Sequence, residues 1–137
     1  MATCAVIGQA VGTAAAQCVD GGMVPRELSA DRSRTSRLQQ TLLKNDQTIR
    51  GITNQDDRDV ARYAKVKASG SDPDAPAENI LNGHLRDYPK SRLFPNPLVN
   101  RWTAPLSADG AWIELSWDTP QRIRELQITF DSGFQRE

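Results

Sequence analysis

Cys4, Cys18 and His84 carry most of the reactive side-chain chemistry in this 137-residue chain. Thiols and imidazole can build a disulfide, a redox pair or a zinc site, and each of these has a spacing requirement. Cys4 and Cys18 lie fourteen positions apart in a segment that reads as one helix. At 1.5 Å rise per residue their Cα atoms stand roughly 21 Å apart, whereas a disulfide needs them within about 7 Å. Both are expected to be free thiols. One His and two Cys without close spacing do not make a zinc-finger site. No Gly-x-Gly-x-x-Gly follows a strand, so the sequence lacks the phosphate-cradling turn of a dinucleotide-binding fold. No carboxylate pair, catalytic triad or metal constellation stands out by spacing.

The bulk properties suit a soluble globular chain that leans polar: 38% hydrophobic, 25% charged and only 6% aromatic residues. Seventeen basic residues balance seventeen acidic ones. A neutral chain has no overall attraction to nucleic acid or to an anionic membrane, so neither is an expected partner. No apolar run approaches the ~20 residues of a membrane span. No basic residue follows Met1 closely, Gln9 interrupts the apolar opening, and Gln17 precedes Cys18 where a lipoprotein cleavage box needs a small residue. No export signal is read here.

The elements fall into two stretches, 1–64 and 65–137. Residues 2–19 read as an alanine-rich helix, with Thr3 as a plausible N-cap and Gly21-Gly22 as its stop. One face carries Ala5, Gly8, Gly12, Ala15 and Ala16. Glycine inside a helix costs roughly 0.5–1 kcal/mol against alanine, so this face suggests close approach by another backbone or a flat ligand. Packing against a sheet or helix with no ligand is the open alternative. Pro25 starts a short helical turn over 24–28, and 36–44 reads as an amphipathic helix with Leu38, Leu42 and Leu43 on one side. One more helical turn is expected in 57–64.

From Lys65 the pattern turns to strands and loops. Residues 65–69 alternate like a short strand, 70–77 form a loop, and 78–83 form a helical turn ended by Gly83. Three prolines exclude regular structure from 87–97. Strands are expected at 101–103, 112–117 and 123–130, where Leu126, Ile128 and Phe130 alternate with polar residues. Residues 131–137 read as a turn without a following partner strand, as in a truncated sheet.

The opening run from Met1 to Ala16, with Pro25-Arg26-Glu27-Leu28 and Leu38-Gln39-Gln40-Thr41-Leu42-Leu43-Lys44-Asn45-Asp46, resembles the last helical part of bacterial FAD-dependent oxidoreductases of the glutathione-reductase-like superfamily. The resemblance covers about the first fifty residues. It implies that the helix N-terminus, at Ala2, Thr3, Cys4 and Ala5, faces the pyrimidine side of the flavin. Backbone N–H groups and the helix dipole there favour negative charge on the ring. With no second cysteine near Cys4 to resolve it, thiol redox chemistry is not expected. The implied cofactor is FAD, held together with an amino-terminal FAD-binding part that this sequence lacks.

The second stretch resembles the start of a discoidin-like (coagulation-factor C-type) module, a galactose-binding-like jelly roll. The matching pieces are Val66-Lys67-Ala68-Ser69-Gly70-Ser71, Pro76-Ala77-Glu78-Asn79-Ile80-Leu81-Asn82-Gly83, Arg101-Trp102-Thr103-Ala104, Trp112-Ile113-Glu114-Leu115-Ser116-Trp117 and Ile123-Arg124-Glu125-Leu126-Gln127-Ile128. Asn82-Gly83 stands where many members have Asp-Gly, which puts a calcium site in doubt. The resemblance implies a possible glycan partner, with His84, Arg86 and Trp102 as contacts, because sugars are held by a flat apolar face and paired hydrogen bonds. Each has a plain alternative: a core Trp102, a loop-bridging Arg86, a loop-bonding His84.

The expected fold class is therefore α+β: a helical segment, the end of a flavoprotein domain, followed by an incomplete antiparallel β-sandwich. The expected function is that of a piece of an FAD-dependent oxidoreductase with an appended glycan-binding-like module, inactive alone. A stand-alone carbohydrate-binding module with a helical brace is the alternative.

Overall fold

The computed structural model describes residues 2–92 and 95–130; the turn expected over 131–137 lies outside them. The chain divides into two units, Met1–Asp56 and Asp57–Glu137. Together they are of mixed α+β class, with helices in the first and a two-stranded antiparallel sheet in the second.

The first unit holds helices α1 (Ala2–Asp20), α2 (Pro25–Ala30) and α3 (Arg32–Lys44). Gly22 ends α1 at φ 58°, a left-handed conformation that glycine adopts without steric cost. The Met23 N–H then reaches back to the Cys18 carbonyl at 2.9 Å and the Gly22 N–H to that of Val19 at 3.2 Å, a Schellman stop. Pro25 opens α2, where its missing N–H costs nothing, and the Val24 N–H donates to Glu27 Oε2 at 3.0 Å.

α3 begins four residues before the expected Ser36, because Asp31 caps it. Asp31 Oδ1 accepts from the N–H groups of Ser33 (2.8 Å) and Arg34 (3.2 Å). Its end repeats the Schellman pattern with Asp46 at φ 63°, and the Gln47 N–H returns to the Leu42 carbonyl at 2.9 Å. Leu28, Leu42, Leu43 and Cys18 form the buried apolar centre of this unit.

The second unit pairs β1 (Lys65–Ala68) with β2 (Ile113–Ser116) in antiparallel register, Lys65 opposite Ser116 and Ala68 opposite Ile113. Short 3-10 turns cover Val60–Tyr63 and Ala77–Leu81, where helical turns are expected. Two indoles tie together segments distant in sequence. Trp117 Nε1–H donates to the Val60 carbonyl at 2.8 Å, and Trp102 Nε1–H donates to the Gly70 carbonyl at 3.0 Å and to Ser71 Oγ at 3.2 Å. Ala75 and Ala77 are buried.

Two expected strands are not formed. Residues 101–103 have no regular structure, because Thr103 spends its main-chain groups on the 72–75 turn. It accepts from the Asp72 N–H at 2.9 Å and donates to the Ala75 carbonyl at 3.2 Å. Residues 123–130 are also irregular despite their alternation. A strand exists through its ladder, and among the described residues the sheet comprises β1 and β2 alone. Ile123, Leu126, Ile128 and Phe130 are consequently exposed.

Candidate functional site

The start of α1 is open to solvent. Thr3, Cys4 and Ala5 are exposed, and the first turn of the helix contains no acidic side chain. The first N–H groups of a helix have no partner within it, so this end offers backbone donors and a partial positive charge without a competing carboxylate. Such a donor set fits the electron-rich edge of a flavin ring, which is where Ala2, Thr3, Cys4 and Ala5 are expected to act. Cys4 and Cys18 are both free thiols, the first exposed and the second buried.

The small-residue face of α1 continues that opening. A Cβ added at Gly8 or at Gly12 would meet nothing within 4 Å. Val6, Ile7, Val11 and Val19 are also exposed on this helix. An apolar pocket lined by Val11, Ala14, Ala15, Cys18, Pro25 and Leu28 lies between α1 and α2.

In the second unit a chain of hydrogen bonds through the Asn82 and Asn100 side-chain amides joins His84 to Arg86. The His84 N–H donates to Asn82 Oδ1 at 2.8 Å, Asn82 Nδ2 donates to Asn100 Oδ1 at 3.0 Å, and Asn100 Nδ2 donates to the Arg86 carbonyl at 2.6 Å. Asn100 is buried, and its N–H donates to Asp87 Oδ1 at 2.7 Å. Asp87 also forms an ion pair with Arg101. The His84 ring meets Tyr88 edge to face, 5.5 Å between centroids, and its Nδ1 is buried without a hydrogen-bond partner. Main-chain bonds in both directions between Tyr88 and Leu98, 2.8 and 2.9 Å, close the loop.

The structure thus brings His84 and Arg86 into one loop cluster. Trp102 points its indole nitrogen to the Gly70–Ser71 turn instead. Trp112, a residue 52% exposed, is not among the residues expected at a site. Its signal lies in strand phase: Trp112, Glu114 and Ser116 alternate with the inward residues Ile113 and Leu115. Among the described residues no three of His, Cys, Asp and Glu come together as a metal site, and no helix is long and apolar enough to cross a membrane.

No curated protein and no solved structure matches this chain. A family model described as a domain of unknown function (DUF7402) matches residues 59–132, more than half of the chain and nearly all of the second unit's described residues. The chain belongs to that domain family.

Proposed function

We propose that residues 1–56 are the closing helical part of an FAD-dependent oxidoreductase and that residues 57–137 belong to an appended β-sandwich module of galactose-binding type. The observation that carries the first half is the open face of α1. A 19-residue helix with Gly8 and Gly12 facing empty space and four valine or isoleucine side chains exposed has the surface of an element meant to be covered. An FAD-binding body would cover it and bring the flavin's pyrimidine edge to the backbone of Ala2, Thr3, Cys4 and Ala5. When bound, the flavin supplies the hydride and electron transfer. This chain's own contribution is a set of backbone donors and a helix end that favours negative charge beside the ring.

The second half is supported by the β1–β2 pair and by the polar loop cluster around His84 and Arg86. In a jelly roll, residues 123–130 would add a strand to this sheet. His84, Arg86 and Trp102 would contact a glycan, and the chain alone would catalyse nothing. The test is the reading frame upstream of Met1. It should encode a strand, a Gly-x-Gly-x-x-Gly turn and a helix, and the extended protein should purify yellow with one flavin per chain. An extended protein that binds no flavin overturns the reading.

A further inference from the structure

The ladder of β1 and β2 continues one step past its last pair. The Ser69 N–H donates to the Trp112 carbonyl at 2.9 Å, and the Trp112 N–H donates to Ser69 Oγ at 3.1 Å. Trp112 therefore stands opposite Ser69, in phase with the Lys67–Glu114 pair one step along the same face. Side chains alternate across the sheet, so Lys65, Lys67 and Ser69 share a face with Trp112, Glu114 and Ser116, while Val66, Ala68, Ile113 and Leu115 take the other.

The outward face is unusual in its chemistry. It presents the half-exposed residue Trp112 beside a lysine and a glutamate that face each other across the strands. Opposite charges in that relation ordinarily pair. Here Lys67 and Glu114 form no ion pair among the described residues, whereas Lys65 is tied to Asp118. One donor cation and one acceptor anion are thus left beside an apolar plate, and together they sum to zero charge.

We propose that this face binds the ring of a neutral sugar, stacked on Trp112, with adjacent hydroxyl groups donating to Glu114 and accepting from Lys67. An indole offers a flat apolar surface to the C–H face of a pyranose, and a carboxylate beside an ammonium matches the donor and acceptor of a vicinal diol. An anionic ligand would meet Glu114 and a cationic one Lys67, so the neutral polyol fits best. The proposal rests on the reading of residues 57–137 as a glycan-binding module but assigns the stacking ring to Trp112, away from Trp102 and from the His84–Arg86 loop.

The experiment is a titration of the 137-residue chain with galactose-, xylose- and glucose-based oligosaccharides, followed by indole fluorescence and calorimetry. Trp112→Ala should weaken binding about tenfold or more, and Glu114→Gln and Lys67→Met should each weaken it less. Leu106→Ala, at an exposed loop position outside both sites, should leave it within about twofold. Binding that survives Trp112→Ala and is lost in His84→Ala overturns this site while sustaining the glycan reading. Absence of any sugar response overturns both. A Trp112→Ala change that instead turns a dimer into a monomer assigns the face to a second copy of the chain and overturns the proposal.

Discussion

Gln47 Nε2 donates to the main-chain carbonyl of Val6 at 2.7 Å and lies 3.2 Å from Gln9 Oε1, fastening the chain after α3 to the flank of α1. Gln47 is buried, and Gln9 Nε2 returns the connection by donating to the Asn45 carbonyl at 3.1 Å. Asp46, left-handed at φ 63°, immediately precedes Gln47 in this turn. Replacing Gln47 by Glu puts an acceptor where a donor faces two oxygens. Gln47→Glu should lower the stability of the helical unit by about 1–3 kcal/mol, and Gln47→Met by less. Chemical denaturation followed by far-UV circular dichroism measures both.

The cap of α3 gives a pH dependence with a defined sign. The Asp31 carboxyl is held below its ordinary value near 3.8, chiefly by the Arg34 N–H, with the Ser33 N–H and the Arg34 guanidinium adding to it against an opposing desolvation. A carboxylate with a depressed folded-state pKa contributes stability above its unfolded value. That contribution is lost as pH falls through the lower, folded-state value. Helicity of α3 should therefore fall in acid below about pH 3.8. Asp31→Asn should keep the cap and remove that part of the acid slope, which a pH series of helicity on the two proteins tests.

Much of the first unit is legible in sequence because its signals are local. Gly21-Gly22 and Pro25 mark boundaries through their own backbone restrictions, and the structure uses them as expected. The early start of α3 is not legible from periodicity, because 32–36 contains no apolar residue and the start depends on the Asp31 carboxylate. In the second unit the β1 and β2 patterns are local, but their pairing across some fifty residues is not. Alternation over 123–130 is equally clear, yet a pattern becomes a strand only where a ladder forms. The exposure of Trp112 is partly legible, since strand phase sets it with Glu114. The anchoring of Trp102 depends on a turn thirty residues away.

Trp102→Phe separates anchoring from recognition. It removes the Nε1–H bonds to the Gly70 carbonyl and Ser71 Oγ while keeping an aromatic ring. A single such loss is worth about 0.5–1.5 kcal/mol, so the second unit should melt a few degrees lower. Trp102→Phe should leave the Trp112 surface unchanged, and near-UV circular dichroism with the sugar titration reads both effects.

Asn100 holds the His84–Arg86 loop through three partners: the Asn82 amide, the Arg86 carbonyl and Asp87. The bond to Asp87 is donated by the Asn100 main-chain N–H and survives substitution. Asn100→Leu should therefore cost about 1–3 kcal/mol and free the loop while Asp87 and Arg101 stay paired. Hydrogen exchange of the Tyr88 and Leu98 amides, which bond each other's carbonyls, should quicken in Asn100→Leu. Unchanged exchange would mean that the loop is held elsewhere.

The open face of α1 gives a prediction whose sign reverses with context. In this chain a Cβ at Gly8 or Gly12 meets nothing within 4 Å. Each Gly→Ala change there should therefore add about 0.5–1 kcal/mol of helix stability. In an extended protein whose FAD-binding body lies flush on this face, the same methyl groups would fall in a close contact. There Gly8→Ala and Gly12→Ala should loosen the fit and lower flavin retention, and larger side chains should do so more strongly. Thermal melts of the 137-residue chain and flavin content of the extended protein, compared for the same substitutions, measure the two signs separately. Stabilisation in both would show that nothing packs closely against Gly8 and Gly12, and the covering body would have to be sought on another face of the helix.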